Sequence, residues 1–374
     1  MKKILTYALC LLTIAGVSAQ NPDKKELEQM FKQGQKAFST FDGMQVQQQI
    51  NPQSVDKTAM SDALIEGYNI FMKLLPLDSI PNEKGQVKPK YSKKIVNTVV
   101  GHVNDFNNTA ALTYYNDKKF YPQAYEAFMI YADMPDVPAF ADAGKVLPDS
   151  LRATGYFNAG IMANSGNELL KAANAFMKAR TFDPQKRDAY VYEIASWQNI
   201  LARDSSMTAQ AEKGISDAAE AGYKAFGIKE PIFINNMINN MVNTSREAQA
   251  IELINRELAS NPNNANLYGL LGFTYSRMNK EDESVDAYRK AAAQADADFE
   301  TLLNAANKIF RVGQEKWNAL SGNEPGARNE IKTNYFEASK KIAEQAQSMA
   351  KQPSSKLDNL LENINYVLTT YFPQ

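Results

Sequence analysis

The sequence predicts an all-α protein, an α-α superhelix built from about seven helical hairpins and closed by a C-terminal cap helix. Three observations lead to this fold class. Apolar residues recur at the spacing of a helix face, with almost none of the alternation that marks strands. Clusters of Pro, Asn and Gly divide the 374 residues into segments of roughly 12 to 25 residues, which suit paired helices. Within these segments a pattern of small and aromatic residues repeats every 34 residues, a period typical of stacked helical units.

Composition narrows the possible functions. Lys and Arg total 41 and Asp and Glu total 42, which leaves a formal net charge of −1. Because phosphate binding depends on clustered Lys and Arg, this balance argues against a nucleic-acid partner. The chain has one Cys and one His, which excludes zinc fingers, Cys–His nucleophiles and any triad that needs more than His102.

Residues 1–19 have the layout of a secretory signal peptide. Two lysines precede an apolar stretch over residues 4–17, and small residues follow it. This stretch is shorter than the about 20 residues that a membrane span needs. We therefore expect cleavage near Ala19/Gln20 and a periplasmic protein secreted across the inner membrane, with association at the outer membrane left open. Cys10 lies inside the apolar stretch and not at the cleavage site, so no lipid anchor is expected.

The first part of the exported chain, residues 20–90, predicts a diverged helical hairpin. One helix has its apolar face between Leu27 and Phe41, and a second covers Ala63–Leu75. The segment 76–90 is rich in Pro, Gly and charge, which favours a loop or hinge and a domain boundary. The remaining residues, 91–374, are expected to form a helical array.

The clearest repeat unit begins at Ala153. Small and aromatic residues and a proline stand at its positions 4, 7, 8, 11, 20, 24, 27 and 32, namely Tyr156, Ala159, Gly160, Ala163, Ala172, Phe176, Ala179 and Pro184. Gly or Ala at positions 8 and 20 permits two antiparallel helices to approach closely, and aromatics fill the gaps between one hairpin and the next. Proline at position 32 ends the second helix. This pattern resembles the tetratricopeptide repeat (TPR) family, of an exported bacterial type.

The same frame recurs along the chain. Further units begin at residues 187, 231, 265 and 299, so successive starts are separated by 34, 44, 34 and 34 residues. The ten extra residues predict a longer second helix around Met207–Phe226. Units of this kind each leave an apolar face that a neighbour must cover, so we expect them to stack.

The segments outside this frame also have helical character. An earlier unit is visible from Ala110 to Phe128. A Pro-rich insertion over residues 134–149, which we expect to be a loop, separates it from the unit that begins at Ala153. Two long helices are predicted over residues 298–320 and 326–351. The one-sided apolar face of Leu357–Tyr371 predicts the cap helix, and we expect its apolar Val367–Tyr371 end to pack and not to face water.

No motif in the chain predicts catalysis, a cofactor or a metal site. Ala143-Gly144-Lys145 lacks the earlier glycine and the preceding strand of a phosphate-binding loop. The acidic alternation over residues 296–300 is not followed by the Gly and Glu that an EF-hand requires. A lone imidazole such as that of His102 is more often a packed or surface residue than a ligand. We therefore expect a protein that is not an enzyme and has no cofactor.

Asparagines recur at matching positions of the units. Asn236 and Asn239 occupy positions 6 and 9 of one unit, Asn304 and Asn307 occupy the same positions two units later, and Asn158 repeats position 6. The TPR resemblance implies that these positions face a concave groove, where a side-chain amide can pair with the C=O and N–H groups of an extended peptide. Such asparagines could equally bridge adjacent repeats, and the sequence favours neither interpretation.

The resemblance does not extend to the basic clamp by which some TPR domains bind terminal carboxylates. Position 13 is Ser165, Asn243 and Arg277 in three units. A groove rich in Asn and Tyr could also hold sugar rings. We expect an exported, non-catalytic TPR scaffold that binds a protein or peptide partner in the cell envelope, without nucleic acid and without a membrane span. The main alternative is a glycan-capturing helical-repeat protein of the outer membrane or periplasm.

Overall fold

The computed structural model describes residues 23–81, 85–116, 120–145, 147–320 and 325–372. All regular secondary structure in these ranges is helical, and no strand occurs in them, so the all-α fold class is confirmed. The predicted signal peptide, with its cleavage site near Ala19/Gln20, lies outside the described residues. The chain divides into two compact units between Gly214 and Ile215. The boundary predicted near residue 90 stays a prediction.

The first unit is a series of helices that pack on their neighbours in the chain. Its helices are α1 (Lys24–Ile50), α2 (Lys57–Asp78), α3 (Ser92–Gly101), α4 (Val103–Asp105), α5 (Leu112–Asn116), α6 (Tyr121–Asp133), α7 (Asp149–Ser165), α8 (Leu169–Phe182) and α9 (Arg187–Arg203). A π-helical turn, Phe106–Ala111, joins α4 to α5. Helix α1 packs on α2, the π-helical turn and α5 on α6, and α7 on α8. The next helix, α10 (Thr208–Phe226), contains the division between the units.

The second unit continues the same arrangement. Its helices are α11 (Pro231–Asn243), α12 (Glu247–Ser260), α13 (Ala265–Arg277), α14 (Glu281–Ala292), α15 (Phe299–Asn318), α16 (Pro325–Ile331), α17 (Ala338–Met349) and α18 (Ser355–Tyr371). A second π-helical turn, Lys332–Glu337, joins α16 to α17. Helix α11 packs on α12, α13 on α14, and α15 on α17, while α18 closes the unit against α17 and α15. The described ranges therefore hold six packed hairpins and a closing helix, and α9 with α10 makes up the seventh predicted pair.

The 34-residue frame coincides with the helix boundaries. The predicted unit starts 187, 231, 265 and 299 are the first residues of α9, α11, α13 and α15. The unit predicted at Ala153 begins earlier, because α7 starts at Asp149, directly after Pro148. The ten extra residues lengthen the fourth hairpin, in which α10 has 19 residues.

Close packing inside two hairpins, α7–α8 and α13–α14, depends on glycine at position 8. A Cβ added at Gly160 would lie 2.6 Å from the ring of Phe176, and one added at Gly272 would lie 2.7 Å from the ring of Tyr288. Both rings stand at position 24 of the same hairpin. Phe176 also stacks on Tyr192 of the next hairpin at 5.4 Å between ring centroids. The aromatic at position 24 therefore packs within its own hairpin as well as between hairpins.

The same principle operates where α9 meets α10. A Cβ at Gly214 would lie 2.4 Å from the indole of Trp197, which is 7% exposed. Because Gly214 has no side chain, the indole of Trp197 has room to lie between the two helices. This contact belongs to the hairpin whose second helix was predicted to be longer.

In three hairpins, the turn between the two helices contains one residue whose backbone has the left-handed conformation. Asn167, Ser245 and Asn279 have φ values of 60°, 56° and 57°, and all three stand at position 15 of their units. In each case the next residue donates its backbone N–H to a carbonyl five residues earlier, at 2.8, 2.8 and 3.0 Å. This is the hydrogen bond of a Schellman helix end, formed here with Asn or Ser in place of the usual Gly.

The insertion predicted over residues 134–149 is part of the core, which corrects the expectation of a separating loop. It forms two 3-10 segments, Met134–Asp136 and Pro138–Lys145. Four of its apolar side chains are buried, those of Met134, Phe140, Ala143 and Leu147. Arg152 of α7 ties it down, because its guanidinium pairs with Asp136 and donates to the carbonyl of Ala132 at 2.9 Å.

The loop predicted over residues 76–90 begins later than expected, because α2 continues through Pro76 to Asp78. The buried carboxylate of Asp78 closes the base of the loop. It accepts the backbone N–H groups of Lys90, Tyr91 and Ser92 at 3.0, 2.8 and 2.7 Å, and the hydroxyl of Ser92 at 2.7 Å. The start of α3 is thus held by the end of α2.

Replacement of Asp78 by Ala should lower the free energy of unfolding by about 1–3 kcal/mol, because buried donors lose their acceptor. Burial alone would raise the pKa of Asp78, but the Ser92 hydroxyl and the three backbone N–H groups outweigh it and lower the pKa below its usual value. The stabilisation is therefore complete above about pH 4, where the unfolded carboxyl is also ionised, and is lost as the pH falls through the lowered folded pKa. Urea unfolding of the wild type and of Asp78→Ala from pH 7 to pH 3 should show that the difference between their free energies of unfolding becomes smaller at the acid end. A difference that stays constant across this range would contradict the role assigned to Asp78.

The cap helix α18 packs through one face, as predicted. Leu357, Leu360, Ile364 and Val367 are buried. The expectation that the Val367–Tyr371 end packs holds for Val367 but is wrong for Tyr371, which remains 48% exposed although its ring centroid lies 5.6 Å from that of Trp317. None of the described helices combines the length and the apolar character needed to cross a membrane.

Candidate functional site

The five candidate asparagines lie on first helices of their hairpins, in two groups. Asn236 and Asn239 are on α11, and Asn304 and Asn307 are on α15, all in the second unit. Asn158 is on α7 in the first unit. The structure thus brings together four of the five predicted residues within one compact unit.

The three first helices of the second unit lie side by side. Helix α13 contacts both α11 and α15, so it separates the two asparagine pairs. At positions 6 and 9 it carries Leu270, which is buried, and Phe273, which is half-buried. We call the surface formed by these helices the amide face, and it comprises Asn235, Asn236, Asn239, Asn266, Gly269, Phe273, Asn304 and Asn307.

The four predicted asparagines differ in how much of the side chain reaches solvent. Asn239, Asn304 and Asn307 are exposed, whereas Asn236 is half-buried. The Asn236 amide donates to the carbonyl of Ile232 in its own helix at 2.8 Å. Three amides are therefore presented to solvent, and the fourth is oriented by its own helix.

One bridge between repeats joins position 5 of one unit to position 2 of the next. The amide of Asn266 on α13 donates to the side-chain carbonyl of Asn235 on α11 at 3.0 Å. A third role belongs to the buried Asn240, which accepts a hydrogen bond from Arg246 at 2.7 Å and so ties the end of α11 to the start of α12. The asparagine-rich helix α11 therefore divides its amides between bridging, capping and exposure.

Buried polar contacts fix the relative position of α13 and α15. The ammonium of Lys308, 7% exposed, donates to the Ser276 hydroxyl at 2.8 Å and pairs with Glu281 of α14. Behind the face, burial raises the pKa of Tyr288 to about 12 despite the opposing charge of Arg311, so this phenol stays neutral at physiological pH. The exposed amides thus stand on helices that are held in place by a buried ion pair and a neutral phenol.

Two residues on the first helices of this unit were missed at the sequence level. Arg311, at position 13 of the unit that starts at Phe299, has a side chain that is 59% exposed and stands one helix away from the equivalent Arg277. Gly269 lies in the interior of α13, and the sequence pattern alone does not distinguish it from a glycine that merely weakens its helix. Repeat position 13 was the signal that could have found Arg311.

The surroundings of Asn158 are more aromatic. Asn158 is half-buried, and its neighbour Phe157 meets Tyr192 edge-on at 5.7 Å between ring centroids. Tyr192 stands at position 6 of its own unit and is 41% exposed. The same repeat position therefore carries an amide on α7 and a phenol on α9.

His102 is a packed residue between α3 and α4. Its Nδ1 lies 2.7 Å from the carbonyl of Thr98, its Nε2 lies 2.9 Å from a carboxylate oxygen of Asp42, and its ring lies 4.9 Å from that of Phe38. Burial raises the pKa of the adjacent Asp105, although His102 acts in the opposite direction. Among the described residues, no group of three or more His, Cys, Asp or Glu side chains is placed to hold a metal ion.

No family model matches this chain, and no curated protein matches it. Among solved structures it is similar to YrrB, a TPR protein with an unusual peptide-binding site, at 17% identity and a TM-score of 0.31, over 60% of this chain and 98% of that one. It is also similar to a chain of the APC/C hetero-tetramer Cut9–Hcn1 at 12% identity and a TM-score of 0.31, over 83% of this chain and 64% of that one.

The described residues repeat three structural features at matching positions. A glycine at position 8 admits the aromatic ring at position 24 in the hairpins α7–α8 and α13–α14. A left-handed residue at position 15 ends the first helix of three hairpins. Consecutive first helices lie side by side, as α11, α13 and α15 do. The chain has a TPR-like fold of stacked helical hairpins.

Proposed function

We propose that this protein is an exported, non-catalytic scaffold that binds an extended segment of a protein partner across the amide face. One observation carries the proposal: exposed amides stand at matching positions of α11 and α15, on either side of α13. A side-chain amide offers both a donor and an acceptor, which is what a peptide backbone needs. The half-buried ring of Phe273 on α13 offers an apolar contact between the two amide rows.

The spacing of the helices sets the length of the bound segment. Neighbouring packed helices lie about 8–10 Å apart, so α11 and α15 are separated by about 16–20 Å. An extended chain advances about 3.3 Å per residue, so about five or six residues span the face. This length suits a linear segment of a partner and not a folded domain.

The proposed location is the cell envelope. The layout of residues 1–19 supports export across the inner membrane to the periplasm, with cleavage near Ala19/Gln20. Amino-terminal sequencing of the protein recovered from a periplasmic fraction tests this part of the proposal. A mature chain that still begins at Met1, or one found only inside the cell, would contradict it.

Changing Asn236, Asn239, Asn304 and Asn307 together to Ala should weaken peptide binding by about tenfold or more, because each lost hydrogen bond contributes about 0.5–1.5 kcal/mol. The melting temperature should hold, since three of the four side chains are exposed. The probe is a set of peptides selected on the purified protein from a randomised display library, measured by calorimetry.

The matched control changes Asn359 and Asn363 of α18, which are also exposed helix asparagines, to Ala. This variant should bind the selected peptides as the wild type does. Equal affinity of the wild type and the fourfold variant would show that the amide face is not the binding site.

Glycan capture remains the alternative because aromatic rings are exposed near the end of the second unit. Tyr366 is 60% exposed, and its ring centroid lies 6.4 Å from that of Tyr371, with the two rings perpendicular. Such rings can stack on sugar faces. A glycan array probed beside the peptide library separates the two functions, because saccharide binding without peptide binding supports only the alternative.

A further inference from the structure

Eight lysines are concentrated in two segments of the first unit, residues 23–36 and 85–94. All eight side chains are exposed. They are Lys24, Lys25, Lys32, Lys36, Lys88, Lys90, Lys93 and Lys94. The same two segments contain only three acidic residues and no arginine, although the whole chain has a formal net charge of −1. The positive charge is therefore a local feature of the first hairpin and the start of α3.

Aromatic packing brings the two segments together. The ring of Phe31 on α1 stacks on that of Tyr91, directly before α3, at 4.6 Å between centroids. The ammonium of Lys94 lies 6.0 Å from the centroid of the Phe31 ring, and that of Lys90 lies 4.9 Å from the centroid of the Tyr91 ring. The lysines near the start of α3 therefore stand beside those of α1.

The exposed side of α1 is a long and shallow surface. It is lined by Lys25, Glu28, Gln29, Lys32, Gln33 and Lys36. Between residues 25 and 36 the helix advances about 16 Å, at about 1.5 Å per residue. We call this surface, together with Lys90 and Lys94, the basic face. Because its lysines are spread along a line, it matches an extended array of negative charges and not one small anion.

One carboxylate lies within the basic face, and it offsets a single lysine. Glu28 pairs with Lys32 at 2.8 Å. The hydrogen bond and the charge of Lys32, followed by the charge of Lys90, lower the pKa of Glu28 below its usual value. The other four lysines of the basic face form no ion pair with the residues that the structure describes. Most of the positive charge is therefore presented to solvent.

An exposed apolar side chain stands three residues before Lys90. Val87 is 52% exposed and directly precedes Lys88. Apolar side chains flanked by lysines suit the boundary of a bilayer, where the apolar group enters the headgroup region and the ammonium groups reach phosphates. A soluble polyanion offers no apolar layer to such a side chain, so this neighbour favours a lipid surface.

We propose that the basic face is a membrane-docking surface, which holds the protein against a bilayer of negatively charged phospholipids with Val87 among the headgroups. Clusters of about four to eight lysines are sufficient for this attraction, and each lysine near the surface raises the affinity about fivefold. The inference does not depend on the amide face. Its failure and the failure of the proposed peptide binding are therefore separate results.

The test is co-sedimentation of the protein, expressed from the full chain, with lipid vesicles. The wild type should bind vesicles of equal parts phosphatidylglycerol and phosphatidylcholine far more tightly than vesicles of phosphatidylcholine alone. Added salt should weaken this binding, because it screens exposed charges. A lysine variant, with Lys25, Lys36, Lys90 and Lys94 changed to Gln, should bind the anionic vesicles about a hundredfold more weakly or worse. Its melting temperature should hold, since all four side chains are exposed.

The matched control changes four exposed lysines of the second unit to Gln, namely Lys290, Lys341, Lys351 and Lys356. This variant has the same net charge as the lysine variant, yet it should bind the anionic vesicles as the wild type does. Residues 1–19 are identical in all of these proteins, so any affinity of that segment for lipid cancels in the comparison. Val87→Ser should weaken binding by about three- to tenfold, because less apolar surface is buried.

The inference is overturned if the wild type and the lysine variant bind the anionic vesicles equally. Equal losses in the lysine variant and in the control would also overturn it, because overall charge would then explain the binding. Binding to soluble polyglutamate without binding to the anionic vesicles would identify an acidic macromolecule, and not a membrane, as the ligand. Unchanged binding by Val87→Ser would contradict the placement of this side chain among the headgroups.

Discussion

Replacing Arg180 by Met should lower the free energy of unfolding by about 3–5 kcal/mol, because it leaves a buried carboxylate without its partner. Glu193 of α9 is 2% exposed. Its carboxylate accepts a hydrogen bond from Nε of Arg180 at 2.5 Å and a second one from a terminal guanidinium nitrogen at 3.2 Å. This two-bond contact joins the third hairpin to the fourth. Urea denaturation at pH 7, followed by far-ultraviolet circular dichroism, measures the loss.

Two controls identify the cause of that loss. Arg187→Met removes an arginine whose side chain is 42% exposed and pairs with Asp188, and pairs with this much solvent contact contribute only about 0–1 kcal/mol. A double replacement, Arg180→Met with Glu193→Met, removes both charges and should recover most of the stability. If the single Arg180 variant unfolds within about 1 kcal/mol of the wild type, the buried pair does not join the hairpins as we infer.

Phe176→Ala should also lower the free energy of unfolding by about 3–5 kcal/mol, because it opens a cavity that no neighbour can fill. The Phe176 ring is fully buried, lies over the backbone of Gly160 and stacks on Tyr192. Glycine has no side chain that could move into the vacated space. Calorimetric melting of the variant, compared with a Met177→Ala control at a position 40% exposed, measures the effect.

The coupling between position 8 and position 24 gives a sharper test of the same packing. Gly160→Ala alone should destabilise by about 1–3 kcal/mol, because its Cβ would lie 2.6 Å from the Phe176 ring. On the Phe176→Ala background the same change should be close to neutral, since the ring is gone. Additive effects of the two changes would show that these positions do not pack against each other.

Much of the fold could be predicted because the repeat positions follow from local chemistry. Glycine paired with an aromatic 16 residues later predicts a close-packed hairpin, and this spacing places Gly160 against Phe176 and Gly272 against Tyr288. Helix starts at Arg187, Pro231, Ala265 and Phe299 then follow from the period.

Features that depend on distant partners could not be predicted in this way. The π-helical turn Lys332–Glu337 is one such feature. The exposed carbonyl of Asn334 within it accepts a hydrogen bond at 2.6 Å from Arg289, which is 45 residues away. The segment 134–149 has the prolines of a loop, yet Phe140 and Leu147 place it in the core. Proline content describes the backbone and not the burial of the side chains between the prolines.

The sequence could predict which positions belong to the candidate site, but not whether each side chain is exposed or hydrogen-bonded. Repeat counting located Asn239, Asn304 and Asn307, which are exposed, and also Asn236, whose amide is bonded to its own helix. The same counting did not find Gly269, because an absence of packing around a residue is visible only in three dimensions.

The tryptophans offer a direct way to follow each compact unit. The chain has two, and one lies in each unit: Trp197 is buried against Gly214 of α10, and Trp317 is half-buried beside Phe372 at 4.8 Å between ring centroids. Indole emission shifts to longer wavelength as water reaches the ring. A Trp317→Phe variant would therefore report by fluorescence on the first unit alone and a Trp197→Phe variant on the second alone, without any added label.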